Sequence, residues 1–268
     1  MTFSTARLLR ETMKLEYDDT VAVLTLSRPE AMNAMNSQFF DDFQSLLSEL
    51  SNQENHVRAL LIKAEGKGFC AGADLKEQTD DVPPNLGERL RQNYNPLIQR
   101  LKELPIPTIA AVNGAVAGAG MSLICACDIV IAEKQAYFTQ AFINIALVPD
   151  AGSTYFLPRL IGRARATRLM MLGDSISAEI AHDYGLISKV VDKEVLPIEA
   201  MLLAKKMASM PTRSLIEIRK LLDSSEQNTL TEQLEAEAIA QQKAAHSDDF
   251  MEGITAFRQK RPPKFTGK

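Results

Sequence analysis

No apolar run in this 268-residue chain reaches the roughly 18 residues needed to cross a bilayer, and the opening stretch from Met1 to Lys14 has no long apolar segment. A cytoplasmic protein is expected, or a matrix protein if a longer precursor was trimmed. Cysteine is scarce: Cys70, Cys125 and Cys127 are odd in number, offer no pairing framework and fit a reducing compartment. Histidine is scarcer in useful contexts, because His56, His182 and His246 stand far apart in polar helical surroundings, which gives a metal site or a histidine-based triad little support. An excess of one charge is also missing. The 30 basic and 34 acidic residues are mixed along the chain and sum to -4, so the basic footprint of a nucleic-acid binder is absent. Any anion that binds must be met by local groups.

What is present is enough apolar sequence, 46% of the residues, to bury a core as one large domain or as a domain with an appendage. Val21 to Leu26 follows the turn-like Asp18-Asp19 and an apolar stretch ending at Leu15, which predicts an antiparallel hairpin. Ser37 can cap a helix carrying Phe40, Phe43, Leu47 and Leu50 at three- and four-residue steps, and Ala59 to Lys63 reads as the next strand. A second helix carries Leu86, Leu90, Leu97, Leu101 and Leu104 and stops at Pro105, with Thr108 to Val112 as the strand after it. A Gly/Ala-rich loop then leads into a short helix over Met121 to Ala126 and a further strand over Asp128 to Ala132. Alternating strands and helices predict an α/β fold with parallel strands. From about Lys193 the pattern is purely helical, with Pro211 and Ser247 opening segments. This gives a core over residues 1–195 and a helical segment over 196–268 whose amphipathic faces suit oligomerisation.

Three loops could carry chemistry. Gly66 to Lys76 is rich in small residues, so the peptide N–H groups of Gly72, Ala73 and Asp74 could face an oxyanion; on composition alone a tight strand-to-helix turn also explains it. Asn113 to Ser122 is a second loop of this kind. It lacks the Lys-Ser or Lys-Thr pair of a phosphate loop and the acidic residue of a dinucleotide fingerprint, and close helix packing accounts for it as well. In the third, Leu147 to Thr154, Asp150 sits between proline and small residues where a helical pattern starts, and a helix cap is the simplest use for it. Arg159, Arg163, Arg165 and Arg168 read as a solvated or salt-bridged face.

Taken together, these loops resemble the crotonase (enoyl-CoA hydratase/isomerase) family in order and spacing: Cys70-Ala71-Gly72-Ala73-Asp74-Leu75, then Asn113-Gly114 through Gly120, then Pro149-Asp150-Ala151-Gly152 followed by Leu157 to Gly162. The likeness continues through Leu172-Gly173-Asp174 and Tyr184 to Ile187 to Gly253 to Phe257, and so covers about residues 14 to 264. It implies a crotonase-type spiral of repeated ββα units closed by C-terminal helices, assembled as a homotrimer or a dimer of trimers. It implies an acyl-CoA thioester substrate whose enolate oxygen is held by the N–H groups of Ala73 and Ala119. Coenzyme A then enters as part of the substrate, no metal or redox cofactor is required, and no nucleic acid or membrane is involved. The resemblance further suggests that Ala34, Ala71, Gly72, Ala73, Asp74, Leu75, Lys76, Gly118 and Phe142 bind the coenzyme A part of the substrate, the backbone near Ala34, Ala71 and Ala73 meeting its pantetheine and adenine, with Arg28 or Lys260 near the phosphates.

Family hydratases use two glutamates, one to activate water and one to handle the proton. At the matching positions this chain has Ser122 and Phe142. Asp150 stands where certain family isomerases have an aspartate, and one carboxylate suffices to move a proton between two carbons. Within the family the likeness is nearest to the phenylacetate-pathway isomerases of ring-epoxidised phenylacetyl-CoA, although Ser153 replaces a customary glycine. Shifting a double bond or opening a ring epoxide is therefore expected, with Phe142 and Phe138 making the pocket apolar. Rival readings are an enoyl-CoA hydratase, a non-catalytic acyl-CoA binder, and a dehalogenase with Asp150 as nucleophile. The last is opposed by the absence of tryptophan. RNA binding is opposed by Asp41, Asp42 and Glu49 on the helix after Ser37.

Overall fold

The structure, a computed structural model, describes residues 7–51, 56–77 and 85–268. Its chain begins with β1 (Arg7–Leu9), β2 (Met13–Asp18) and β3 (Val21–Leu26). The hairpin predicted from sequence pairs β2 with β3 from Met13 opposite Leu26 to Asp18 opposite Val21, three residues beyond Leu15, because the turn falls at Asp19, whose φ is 56°. Every residue of β3 is buried, as a strand covered on both faces must be. Helix α1 (Ser37–Ser51) buries the predicted Phe40, Phe43, Leu47 and Leu50. Its cap is not Ser37: the Asn36 Oδ1 accepts the Phe39 N–H at 2.9 Å, while the Ser37 N–H and hydroxyl both donate to the Glu77 carboxylate.

Strand β4 (Ala59–Ala64) runs parallel to β3, and the chain then steps into β5 (Gly68–Cys70) of a second sheet. The expected leucine-bearing helix is present and unbroken from Leu86 to Glu103, but its winding changes midway. It comprises α2 (Leu86–Arg89), a π turn over Leu90–Tyr94 and α3 (Asn95–Glu103). Pro96 supplies the reason: it has no N–H for the carbonyl four residues back, and the Asn95 N–H reaches five residues back to Leu90. The passage repeats as β6 (Thr108–Val112), β7 (Ala115–Ala117) and α4 (Ala119–Cys125), then as β8 (Ile129–Glu133) and β9 (Tyr137–Thr139). It ends with α5 (Ser153–Ile161), α6 (Arg163–Leu172), β10 (Ser175–Ser177), α7 (Ala178–Asp183) and β11 (Lys189–Val191).

The large sheet has the order β1-β2-β3-β4-β6-β8-β11 and is parallel from β3 onward; the small one has the order β10-β9-β7-β5. The stretches 66–76 and 113–120, which read as loops from sequence, each contain a three-residue strand of the small sheet. Three residues are too few to display alternation, and the pairing that makes them strands is with distant partners. The remaining chain is helical as expected: α8 (Leu196–Ala208), α9 (Thr212–Ser225), α10 (Leu230–Ala245) and α11 (Asp248–Gln259). Leu196, Ala200, Ala204 and Met207 of α8 pack on Val21, Val23, Leu61, Ile109 and Ile131, closing one face of the large sheet. The other face carries the main core, built with α1, α3, α4 and α5. From α9, the buried Arg219 donates to the carbonyls of Lys102, Leu104 and Ile106 and to both carboxylate oxygens of Asp128.

Candidate active site

The Gly/Ala-rich loops meet because glycine leaves room for it. Gly72 has φ +86°, and a Cβ there would stand 2.8 Å from the Ala117 carbonyl oxygen and 3.2 Å from the Ala119 nitrogen. A Cβ on Gly120 would overlap the Cys70 carbonyl oxygen. Backbone therefore lies directly on backbone, which any larger residue would prevent. Of the three N–H groups singled out in the first loop, that of Asp74 is taken by the Met35 carbonyl at 3.0 Å and that of Gly72 is directed at the Cys70 sulfur. The Ala73 N–H donates to no other described residue. Ala119 opens α4 after Gly118, whose own N–H goes to the Thr139 carbonyl. The Ala119 N–H precedes the first bond of its helix and is likewise free among the described residues.

Both alanines line one cavity of about 540 Å³ together with Asp150. The predicted Ala71, Leu75, Gly118 and Phe142 line it as well. Ala34, Gly72, Asp74 and Lys76 are not on its wall: the first three are buried and Lys76 is exposed. Arg28 donates to the Ala34 carbonyl at 2.7 Å and to the Asp74 carboxylate at 3.0 Å, tying the segment after β3 to the one after β5. Lys260 sits at the C-terminus of α11, away from the cavity wall. Phe138 is fully buried in the main core and does not face the cavity, contrary to expectation, because its strand turns it inward beside Ile176. Arg89 and Tyr94 do not stand out in the sequence and Leu90 reads there only as a helix core position, yet all three form part of the wall. Pro96 is the signal that locates them, since the π turn it enforces ends at Tyr94.

Asp150 is not a helix cap. The N-cap of α5 is Gly152, with no side-chain capping bond, and the Asp150 backbone carbonyl, not its carboxylate, accepts the Ser153 N–H at 2.9 Å. The carboxyl Oδ1 is buried and has no hydrogen-bond partner among the described residues. Burial away from water penalises the charged form and pushes its pKa up to about 6. Arg89 and Tyr94 are the other titratable side chains on the described wall. A half-buried carboxyl with one orphaned oxygen, lining the same cavity as two free amides, can take a proton from a bound substrate while the amides stabilise the negative oxygen that results.

The remaining candidates fall elsewhere. His56, His182 and His246 are all exposed, and no group of three metal-ligating side chains comes together among the described residues. Arg159 pairs with Glu226 and stacks on Tyr155, Arg165 stacks on Tyr184, and Arg168 pairs with Asp174, as expected of a solvated face. Cys70 and Cys125 are buried thiols pushed up to about 12. A second cleft of about 580 Å³ runs along Cys125, Asp128, Lys189 and Glu199 and includes none of the three loops. No helix among the described residues is long and apolar enough to span a membrane.

The sequence model of the enoyl-CoA hydratase/isomerase family matches residues 16–268. The 1,2-epoxyphenylacetyl-CoA isomerase of Escherichia coli is 45% identical over 251 residues, covering 92% of this chain and 95% of that protein. The trans-2-decenoyl-[acyl-carrier-protein] isomerase of Streptococcus mutans is 36% identical over 256 residues, 94% of this chain and 96% of that protein. Among solved structures, the enoyl-CoA hydratase from Bacillus anthracis superposes with a TM-score of 0.91 at 32% identity, covering 96% of this chain and 100% of that one. The relatives carry both isomerase and hydratase names. With the ββα passages, the paired amide loops and a match over nearly its whole length, this chain belongs to the enoyl-CoA hydratase/isomerase family.

Proposed function

We propose that the chain is an acyl-CoA isomerase in which Asp150 is the only proton-transferring side chain. The observation that carries this reading is the half-buried Asp150 carboxyl, whose Oδ1 is buried with no partner among the described residues, in the cavity of the Ala73 and Ala119 amides, with no second carboxylate on the described wall. Ionised Asp150 removes the α-proton of a 3-enoyl thioester, and the electron pair moves onto the thioester oxygen. The Ala73 and Ala119 N–H groups hold that enolate oxygen, each donor being worth about 3 kcal/mol in such a site. Protonated Asp150 then returns the proton to the γ-carbon and leaves a conjugated 2-enoyl thioester. Coenzyme A comes and goes with the substrate, its chain following the backbone near Ala71 and Leu75.

Hydration would require a carboxylate to activate water, and Ser122 and Phe142 occupy the positions where the family resemblance expects them. A second reading, opening of a ring epoxide on an aromatic acyl group, is favoured by the similarity to the Escherichia coli isomerase. It uses the same carboxyl and amides. The exposed Leu230, Leu234 and Phe257 on α10 and α11 suit assembly into a trimer or a dimer of trimers.

The test follows ultraviolet absorbance of the conjugated thioester with 3-enoyl-CoA and 2-enoyl-CoA offered separately. Conjugation should grow from the 3-enoyl substrate and should fall by at least about 100-fold in rate for Asp150→Asn. Loss of conjugation from the 2-enoyl substrate would point to hydration instead, and undiminished isomerisation by Asp150→Asn would overturn the assignment.

A further inference from the structure

Ser122, at the position of a family glutamate, has a hydroxyl that is already engaged. It lies 3.0 Å from the Asp150 backbone carbonyl oxygen and 3.2 Å from the Ser153 Oγ. The Gln140 Nε2 lies 2.7 Å from that same Ser153 Oγ. Ser122, Ser153 and Gln140 are all completely buried, so no water competes for these bonds. The carbonyl can only accept, so the Ser122 proton belongs to it. The Ser153 proton must then go to Ser122, and the Gln140 amide must donate to Ser153. The opposite orientation of the Gln140 side chain would leave the two serine oxygens facing one another with no proton between them. One direction therefore satisfies the three contacts, from Gln140 through Ser153 and Ser122 to the backbone of Asp150.

The segment at the end of this relay needs holding. Ala151 and Gly152 follow Asp150 with φ of 49° and 81°, two successive left-handed residues of which the alanine is disfavoured by its own Cβ. Such a conformation persists where its surroundings over-determine it. The Ser122 hydroxyl and the Ser153 N–H together occupy both lone pairs of the Asp150 carbonyl. Ser122 also stands one turn along α4 from Ala119, the proposed enolate donor. Gln140 follows Thr139, whose carbonyl accepts the Gly118 N–H. The relay thus spans the elements that carry the base and one of the two amides.

We propose that Ser122, backed by Ser153 and Gln140, is a positioning unit that locks the Asp150 turn onto α4 and so sets the separation between the proton-transferring carboxyl and the Ala119 amide. This rests on the isomerase reading for its effect on turnover, but not for its effect on Asp150 itself. Ser122→Ala and Ser153→Ala should each lower kcat about 10-fold or more while changing KM less than about twofold, because misplacement by a fraction of an ångström suffices for that. The double variant should lose no more than either single one, as members of one relay do.

A readout free of substrate separates the two proposals. In protein labelled with carboxyl-¹³C aspartate, the resonance missing from Asp150→Asn should titrate near 6 in the parent chain, where burial of that carboxyl pushes its pKa up. It should move toward the ordinary carboxylate range in the serine variants, as water reaches the loosened turn. If Ser122→Ala does not fold, Ser153→Ala carries the same measurement. Unchanged titration and turnover in folded alanine variants, or losses that multiply in the double variant, overturn the positioning role. A moved titration in a chain that isomerises nothing would uphold the relay and overturn the isomerase.

Discussion

At Asp150 one carboxyl oxygen is kept from water without a partner among the described residues, and activity and stability respond to this in opposite directions. As a base it must be ionised, so kcat/KM should fall with a slope of one as pH drops below about 6. A pH-rate profile with its acid limb near 4 would show that the carboxyl is hydrated. For stability, the folded-state pKa lies above the unfolded value, so the folded chain binds more protons between about 4 and 6 and loses stability as pH rises through that window. The cost is full above pH 7. Asp150→Asn should therefore be more stable than the parent at pH 8 by up to roughly 3 kcal/mol, a margin that shrinks below pH 4. Chemical denaturation at the two pH values measures it. The resemblance brings Asp150 forward from the sequence, but no local pattern reveals its isolation: proline before it and small residues after it equally describe a cap. Asn36 shows the same limit, since it and Ser37 are both good capping residues and only the distant Glu77 decides between them.

At the scale of elements, the predicted strands and the helix periodicities came through where the signal was long. Phe40, Phe43, Leu47 and Leu50 mark α1 because 15 residues offer several turns of evidence. Strands β5 and β7, each three residues long, leave no such trace, and their place is fixed by pairing across 47 residues of sequence, from Gly68 to Ala115. The π turn was legible only through Pro96, a single residue inside an otherwise regular leucine pattern. The junction of the two amide loops is the part of the site that this scale controls. Gly120→Ala puts a methyl group into the Cys70 carbonyl, and backbone cannot yield as a flexible side chain can. The loops should separate, with a stability loss of about 1–3 kcal/mol and a fall in kcat of about 100-fold. Steady-state kinetics beside thermal melting checks both, and a fully active Gly120→Ala would mean that the Ala73 and Ala119 amides do not act as a pair.

Alternation of strand and helix made the parallel sheet readable for the molecule as a whole, but two features of its assembly were not. The division into two sheets depends on each repeat crossing from one to the other, and the use of α8 to close a sheet face depends on which small residues, Ala200 and Ala204, meet β3 and β6. The helices after α8 are joined to the core by an ion pair that no sequence pattern announces. Arg219 and Asp128 are 91 residues apart, and the guanidinium reaches three carbonyls between α3 and β6 besides the carboxylate. Asp128 in turn accepts the Thr108 N–H at 2.7 Å, where β6 starts. Removing the cation leaves that carboxylate and the carbonyls in a site with little water, so Arg219→Met should cost about 3–5 kcal/mol. Adding Asp128→Asn should return part of the loss, because the neutral amide removes the unpaired charge. Urea unfolding of the two single variants and the double variant decides it: a double variant less stable than Arg219→Met would show that Asp128 acts chiefly through Thr108, with Arg219 only a neighbour.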